Sequence, residues 1–131
     1  MRGLVLRSTG SWYDIKTTDG TIYKGRLRGK MRLDGLRVTN PIAVGDFVQM
    51  EMDNEVEQTT VIKKIEKREN YIIRKAVKKR AHGHLIAANI DQVILLVTQT
   101  FPKTSLGFID RFLVTAESFR IPTVLVFNKS D

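Results

Sequence analysis

Pro122-Thr123-Val124-Leu125-Val126-Phe127-Asn128-Lys129-Ser130-Asp131 is an apolar run that ends on an N-K-x-D tetrapeptide. The run reads as a buried strand and the tetrapeptide as the polar segment just beyond its carboxyl end, where ligands bind in open α/β sheets. The residue types fit a guanine base. An Asp carboxylate presents two acceptor oxygens to the guanine N1–H and exocyclic amine, an arrangement adenine does not match. The Asn amide can bond the opposite edge of the base, and the Lys stem can lie along its flat face. Asn128, Lys129, Ser130 and Asp131 are therefore the candidate guanine-binding residues. Four positions with one wildcard recur by chance, so the setting of the motif matters as much as its letters.

That setting is a strand, a helix and a second strand. Asp91-Gln92-Val93-Ile94-Leu95-Leu96-Val97 is a short continuous apolar run, the pattern of a parallel strand covered on both faces. Phe108, Ile109, Phe112, Leu113, Ala116 and Phe119 recur at helical spacing and predict a helix over 107–119. Ile121-Pro122 closes it, because the residue before Pro is driven out of the helical region. A β-α-β unit with a right-handed crossover is expected. Its apolar residues would serve as core in any α/β protein; only the tetrapeptide asks for a functional explanation.

A phosphate-binding loop of the form G-x-x-x-x-G-K-[ST] does not occur in the sequence. The nearest approach, Gly25-Arg26-Leu27-Arg28-Gly29-Lys30-Met31, is one residue short between its glycines and lacks the hydroxyl. In an ordinary GTPase that loop precedes N-K-x-D by most of the domain. Either the tetrapeptide is accidental, or the nucleotide domain is circularly permuted and its phosphate loop lies beyond residue 131.

The 22 Lys and Arg against 14 Asp and Glu give a net charge of +8 over 131 residues, a length suited to one ordinary domain or two small ones. The excess is confined to one part of the chain. Residues 1–84 hold 18 basic and 10 acidic side chains, whereas 85–131 hold 4 of each. Such segregation suggests a nucleic-acid-binding module joined to a domain with another task. The absence of Cys excludes disulfides and thiolate metal sites. No run is apolar enough to span a bilayer and no signal-peptide core is present, so a cytoplasmic protein without membrane contact is expected.

The basic part reads as a small β-barrel. Met1 to Ser8, Trp12 to Lys16 and Thr21 to Arg28 are short strands separated by the turn signals Thr9-Gly10 and Asp19-Gly20. A loop from Gly29 to Asn40 leads to Pro41-Ile42-Ala43-Val44-Gly45-Asp46 and a strand from Phe47 to Met52. After a turn at Asp53-Asn54-Glu55, a last strand runs from Val56 to Ile65. Five strands with one long connection fit an OB-type barrel. Alternation puts Tyr23 and Leu27 inside and Lys24, Arg26 and Arg28 outside, with Ile22 as an exception. With Lys30, Arg32 and Arg37 of the loop, these cations are candidate RNA contacts, although a row of Lys and Arg on a strand is more often a solvated face. Trp12 either stacks on a base or caps the barrel end.

In residues 67–84 the cations Lys67, Arg68, Arg74, Lys75, Lys78, Lys79 and Arg80 face one acid, Glu69. The stretch reads as a basic linker able to track phosphates, with Arg74, Lys75, Lys78, Lys79 and Arg80 as further RNA contacts. His82-Gly83-His84 lacks a third ligand and reads as an exposed turn, so no metal site is expected in this chain. No catalytic set is expected in it either.

Asn70-x-x-x-Arg74, Ala87-Ala88-Asn89-Ile90-Asp91-Gln92-Val93, a loop at Pro102, Ile109-Asp110-Arg111-Phe112-Leu113 and Asn128-Lys129-Ser130-Asp131 together resemble the RsgA family of circularly permuted ribosome-biogenesis GTPases. The resemblance covers the whole chain and is most specific from Asn70 onward. It implies an α+β chain in two parts: an OB-fold RNA-binding domain over 1–66, the basic linker over 67–84, and over 85–131 the first β-α-β unit of a permuted GTPase domain. It also implies GTP as ligand at Asn128 to Asp131. The implied partners of the parent protein, itself expected to be monomeric, are the small (30S) ribosomal subunit and its 16S rRNA, and the subunit stimulates hydrolysis during late maturation. Magnesium and zinc are expected only downstream, with the phosphate loop, so these 131 residues alone should not hydrolyse GTP. The alternative is a non-enzymatic OB-fold RNA-binding protein with an α/β scaffold tail.

Overall fold

The structure, a computed structural model, describes residues 1–29, 40–74 and 83–129. They form two compact units, Met1–Asn89 and Ile90–Asp131.

In the first unit, β1 (Arg2–Ser8), β2 (Tyr13–Thr17), β3 (Ile22–Leu27), β4 (Phe47–Asn54) and β5 (Thr59–Ile65) close into a barrel in the order β1-β2-β3-β5-β4. Antiparallel pairing of β1 with β4 shuts it, and β3 with β5 is its parallel pair. This is the five-stranded OB-type barrel expected from the strand spacing. Its core is Val5, Tyr13, Ile15, Ile42, Val48, Met50 and Ile62, with Tyr23 and Leu27 packed against it. Burial pushes the Tyr13 phenol above its ordinary pKa, and its hydroxyl donates to the Asn40 Oδ1. At Gly25 the interior is so close that a Cβ would lie 2.4 Å from the Ile15 Cδ1.

The last turn of the barrel differs from expectation. β4 continues through Asn54 and the turn spans 55–58, so Val56 opens no strand. The Asn54 side chain accepts the Val56 and Glu57 amides at 2.9 and 3.2 Å, a local bond that outcompetes strand pairing. Val56, 95% exposed, has no core position to gain.

A second correction concerns 67–84, read from composition as a basic linker. Tyr71–Arg74 within it forms β6, which pairs antiparallel with β7 (His84–Ala88). Tyr71 and Ile73 pack on a small core of Ala43, Leu85 and Ala88. Arg68 is not a solvated cation either. Its Nε and Nη2 each donate to an Asp46 carboxylate oxygen at 2.6 Å, and Nη2 also donates to the Pro41 carbonyl at 2.7 Å. Gly45 completes this junction at φ +93°, where a Cβ would meet the Ala88 carbonyl oxygen at 2.0 Å. Only glycine combines that backbone with that approach.

The second unit is the expected β-α-β: β8 (Val93–Thr98), α1 (Leu106–Ser118) and β9 (Thr123–Asn128), with β8 and β9 parallel and paired from Val93↔Thr123 to Thr98↔Asn128. Val93, Leu95 and Val97 are buried, as are Ala116 of the helix and Ile121 after it. The apolar runs had implied burial on both sheet faces. Here Ile94 and Leu96 are 67% and 59% exposed, and their register partners Val124 and Val126 are exposed too. No helix among the described residues is long and apolar enough to cross a membrane.

Ser105 caps α1, its hydroxyl accepting the Phe108 amide at 3.1 Å. Ser105→Ala should therefore cost about 1 kcal/mol of local helix stability. The measurement is hydrogen exchange of the first-turn amides, expected to quicken about fivefold; unchanged exchange would mean the cap contributes nothing.

Candidate guanine-binding segment and RNA-contact surface

Asn128 is the last residue of β9, and its register partner Thr98 is the last of β8. Both lie at the carboxyl ends of a parallel pair, the ligand-binding end of such sheets. The intervening loop folds back on that end. The Thr98 amide donates to the Thr104 hydroxyl at 2.9 Å, the Thr104 amide to the Thr98 carbonyl at 2.9 Å, and the Thr98 hydroxyl to the Pro102 carbonyl. Lys129 has a left-handed backbone, φ +54°, and its Nζ donates to the Phe101 carbonyl at 3.3 Å. Asn128 and Lys129 are thus exposed together beside the Pro102 loop, while Ser130 and Asp131 lie outside the described residues. The Phe101 carbonyl is a partner sequence reasoning missed, since a backbone acceptor leaves no signature in residue types. An open groove of about 720 Å³, lined by Leu113, Val114, Glu117, Ile121 and Pro122 among others, lies at the opposite end of β9 from Asn128.

On the barrel, Lys24, Arg26 and Arg28 are exposed while Tyr23 and Leu27 turn inward, as alternation requires. The row is not an open cationic strip, however. Lys24 Nζ lies 2.5 Å from Asp14 Oδ1, and Arg26 Nη2 lies 2.7 Å from Asp53 Oδ2. On neighbouring strands Lys63 pairs with Glu51 at 3.1 Å. Asp14 faces Lys24 directly in the β2–β3 register, so the pairing follows from strand alignment. Trp12, 38% exposed, has the Arg26 guanidinium 5.8 Å from its ring centre.

Arg74 is exposed at the end of β6. Lys30, Arg32, Arg37, Lys75, Lys78, Lys79 and Arg80 lie outside the described residues. Elsewhere on the barrel, the Arg2 guanidinium sits 4.1 Å from the Phe47 ring centre and holds the Glu66 carboxyl below its ordinary pKa through a direct hydrogen bond. Among the described residues no group of three or more His, Asp and Glu could hold a metal ion.

A closed OB-type barrel followed by a parallel β-α-β unit that leads into N-K-x-D defines a class, the permuted GTPases with an N-terminal barrel. Two family models match the chain: RsgA N-terminal domain over residues 2–60 and RsgA GTPase over residues 65–131. The chain belongs to the RsgA family. Among curated relatives, the small ribosomal subunit biogenesis GTPase RsgA of Cytophaga hutchinsonii is 60% identical over 131 residues, covering 100% of this chain and 43% of the relative. Its counterpart in Christiangramia forsetii is 55% identical over 132 residues, covering 100% and 42%. The chain therefore spans about two fifths of the length of these relatives. Among solved structures, YjeQ from Thermotoga maritima matches with TM-score 0.64 at 35% identity, over 99% of this chain and 41% of that one. YloQ, described as a circularly permuted GTPase, matches with TM-score 0.63 at 25% identity over the same shares.

Proposed function

We propose that the chain is the RNA-binding and base-reading part of a GTPase that binds the small (30S) ribosomal subunit and its 16S rRNA and assists late maturation, with hydrolysis stimulated by the subunit. The observation that carries this reading is the position of Asn128 and Lys129, exposed together at the carboxyl end of a parallel strand pair in a chain of the RsgA family. Asn128, Lys129, Ser130 and Asp131 hold the guanine of GTP. Residues 1–66 form the RNA-binding domain, 67–84 a basic junction and 85–131 the start of the permuted nucleotide domain. Magnesium and zinc belong to downstream parts. The names of the relatives, small ribosomal subunit biogenesis GTPases, support the assignment of partner and activity.

The +8 charge confined to residues 1–84 supports RNA binding with little sequence preference. Each neutralised phosphate releases counterions, so log affinity should fall against log salt with a slope of about −0.7 per contacted phosphate for a single strand. Replacing Lys24, Arg26 and Arg28 together with Ala should flatten that slope by about two if all three meet phosphates. Fluorescence anisotropy at several salt concentrations measures it. An unchanged slope would move the contact away from β3, to the junction.

A further inference from the structure

Resting on the proposal that this barrel face binds RNA, we propose that Asp14 and Asp53 are built-in competitors for the RNA phosphates. They hold Lys24 and Arg26 until a single strand displaces them and stacks an unpaired base on Trp12.

The acids and cations are not equivalent partners. Asp14 and Asp53 are 21% and 31% exposed, whereas Lys24 and Arg26 are 55% and 51% exposed. The carboxylates are therefore the more buried member of each pair and the cations the more exposed, the side from which an incoming anion arrives. Exposed pairs of this kind shift an equilibrium constant by at most about fivefold, so an arriving phosphate oxygen can replace either carboxylate. A guanidinium has five donors in a fork that matches phosphate geometry, and Asp53 meets only the Nη2 end.

Trp12 gives the exchange its selectivity. The Arg26 guanidinium lies over its ring, and an indole face and a guanidinium plane are both surfaces on which bases stack. A duplex has its bases stacked already and can offer only phosphates, against which Asp14 and Asp53 compete. A single strand offers phosphates and a free base face, and the stacking offsets the competition. The two carboxylates thus weaken the electrostatic attachment of both RNAs, and stacking on Trp12 leaves unpaired RNA as the preferred ligand.

The test uses the 131-residue chain, a labelled single-stranded oligoribonucleotide of mixed sequence and the corresponding duplex. Trp12 is the sole tryptophan, so its emission reports directly on stacking. The unmodified chain should show Trp12 quenching with the single strand and little with the duplex. The double variant Asp14→Asn/Asp53→Asn should bind both RNAs more tightly at low salt, by up to about fivefold for each pair released and by a similar factor for single strand and duplex. In an Arg26→Ala background, Asp53→Asn should be silent. If Asp14→Asn/Asp53→Asn leaves affinity unchanged or lowers it while Arg26→Ala weakens binding, the competitor role is wrong and RNA binding by this face stands. If Lys24→Ala and Arg26→Ala also leave affinity unchanged, the underlying RNA reading fails at this face and the proposal with it. Far-ultraviolet circular dichroism of each variant checks that the barrel is intact, so an affinity change is not mistaken for unfolding.

Discussion

Arg68→Ala should lower the unfolding free energy of the Met1–Asn89 unit by about 3–5 kcal/mol. Asp46 is fully buried and Arg68 is 8% exposed, with Nε and Nη2 each 2.6 Å from a different carboxylate oxygen. The same carboxylate accepts the Ala43 amide at 2.8 Å, and Arg68 also holds the Pro41 carbonyl at 2.7 Å. Deleting the guanidinium would leave a buried anion with one amide for company. It would also free the segment that carries Gly45, whose carbonyl accepts the Asn89 side chain at 2.9 Å. Arg68→Lys should recover only part of the loss, because an ammonium cannot bridge both oxygens in a plane. Urea denaturation followed by barrel circular dichroism measures both variants. A loss below about 1 kcal/mol for Arg68→Ala would match an exposed pair and contradict the buried geometry.

Asp131→Asn in the complete protein should weaken GTP binding by about a hundredfold while relatively favouring xanthosine triphosphate. One acceptor oxygen becomes an NH₂ group, which would face the guanine N1–H or amine donor to donor. Xanthine carries a carbonyl where guanine carries the amine, and that carbonyl can accept from the new NH₂. Titration with fluorescent derivatives of both nucleotides decides the matter. A variant that keeps the original GTP preference would remove this tetrapeptide from the role of base reader.

The local elements were legible because their signals are local. The helix after Ser105 followed from six apolar residues at 3.6-residue spacing, and its end from Ile121-Pro122. The placement of Asn128 and Lys129 at a strand's carboxyl end followed from an apolar run that stops at a polar motif. Strand count and spacing were enough for the five-stranded barrel. The limits of such reading appear at Val56, where an Asn54 side chain bonds two amides and delays the last strand.

Charge was legible as a count and not as a surface. Residues 67–84 look like a solvated basic run, yet Arg68 is drawn into the interior by Asp46, 22 positions earlier, and Tyr71-Ile72-Ile73 pairs with a strand beyond it. Lys24 meets Asp14 because β2 and β3 align them, and Arg26 meets Asp53 through the barrel's closed strand order. The sequence by itself determined the five barrel strands, the helix and the polar tetrapeptide that follows the last strand, since those depend on neighbours within a turn or a strand. Only the tertiary structure decided which cations are exposed, which one is buried and which carbonyl Lys129 meets, because a charge's partner is set by the distances that folding creates.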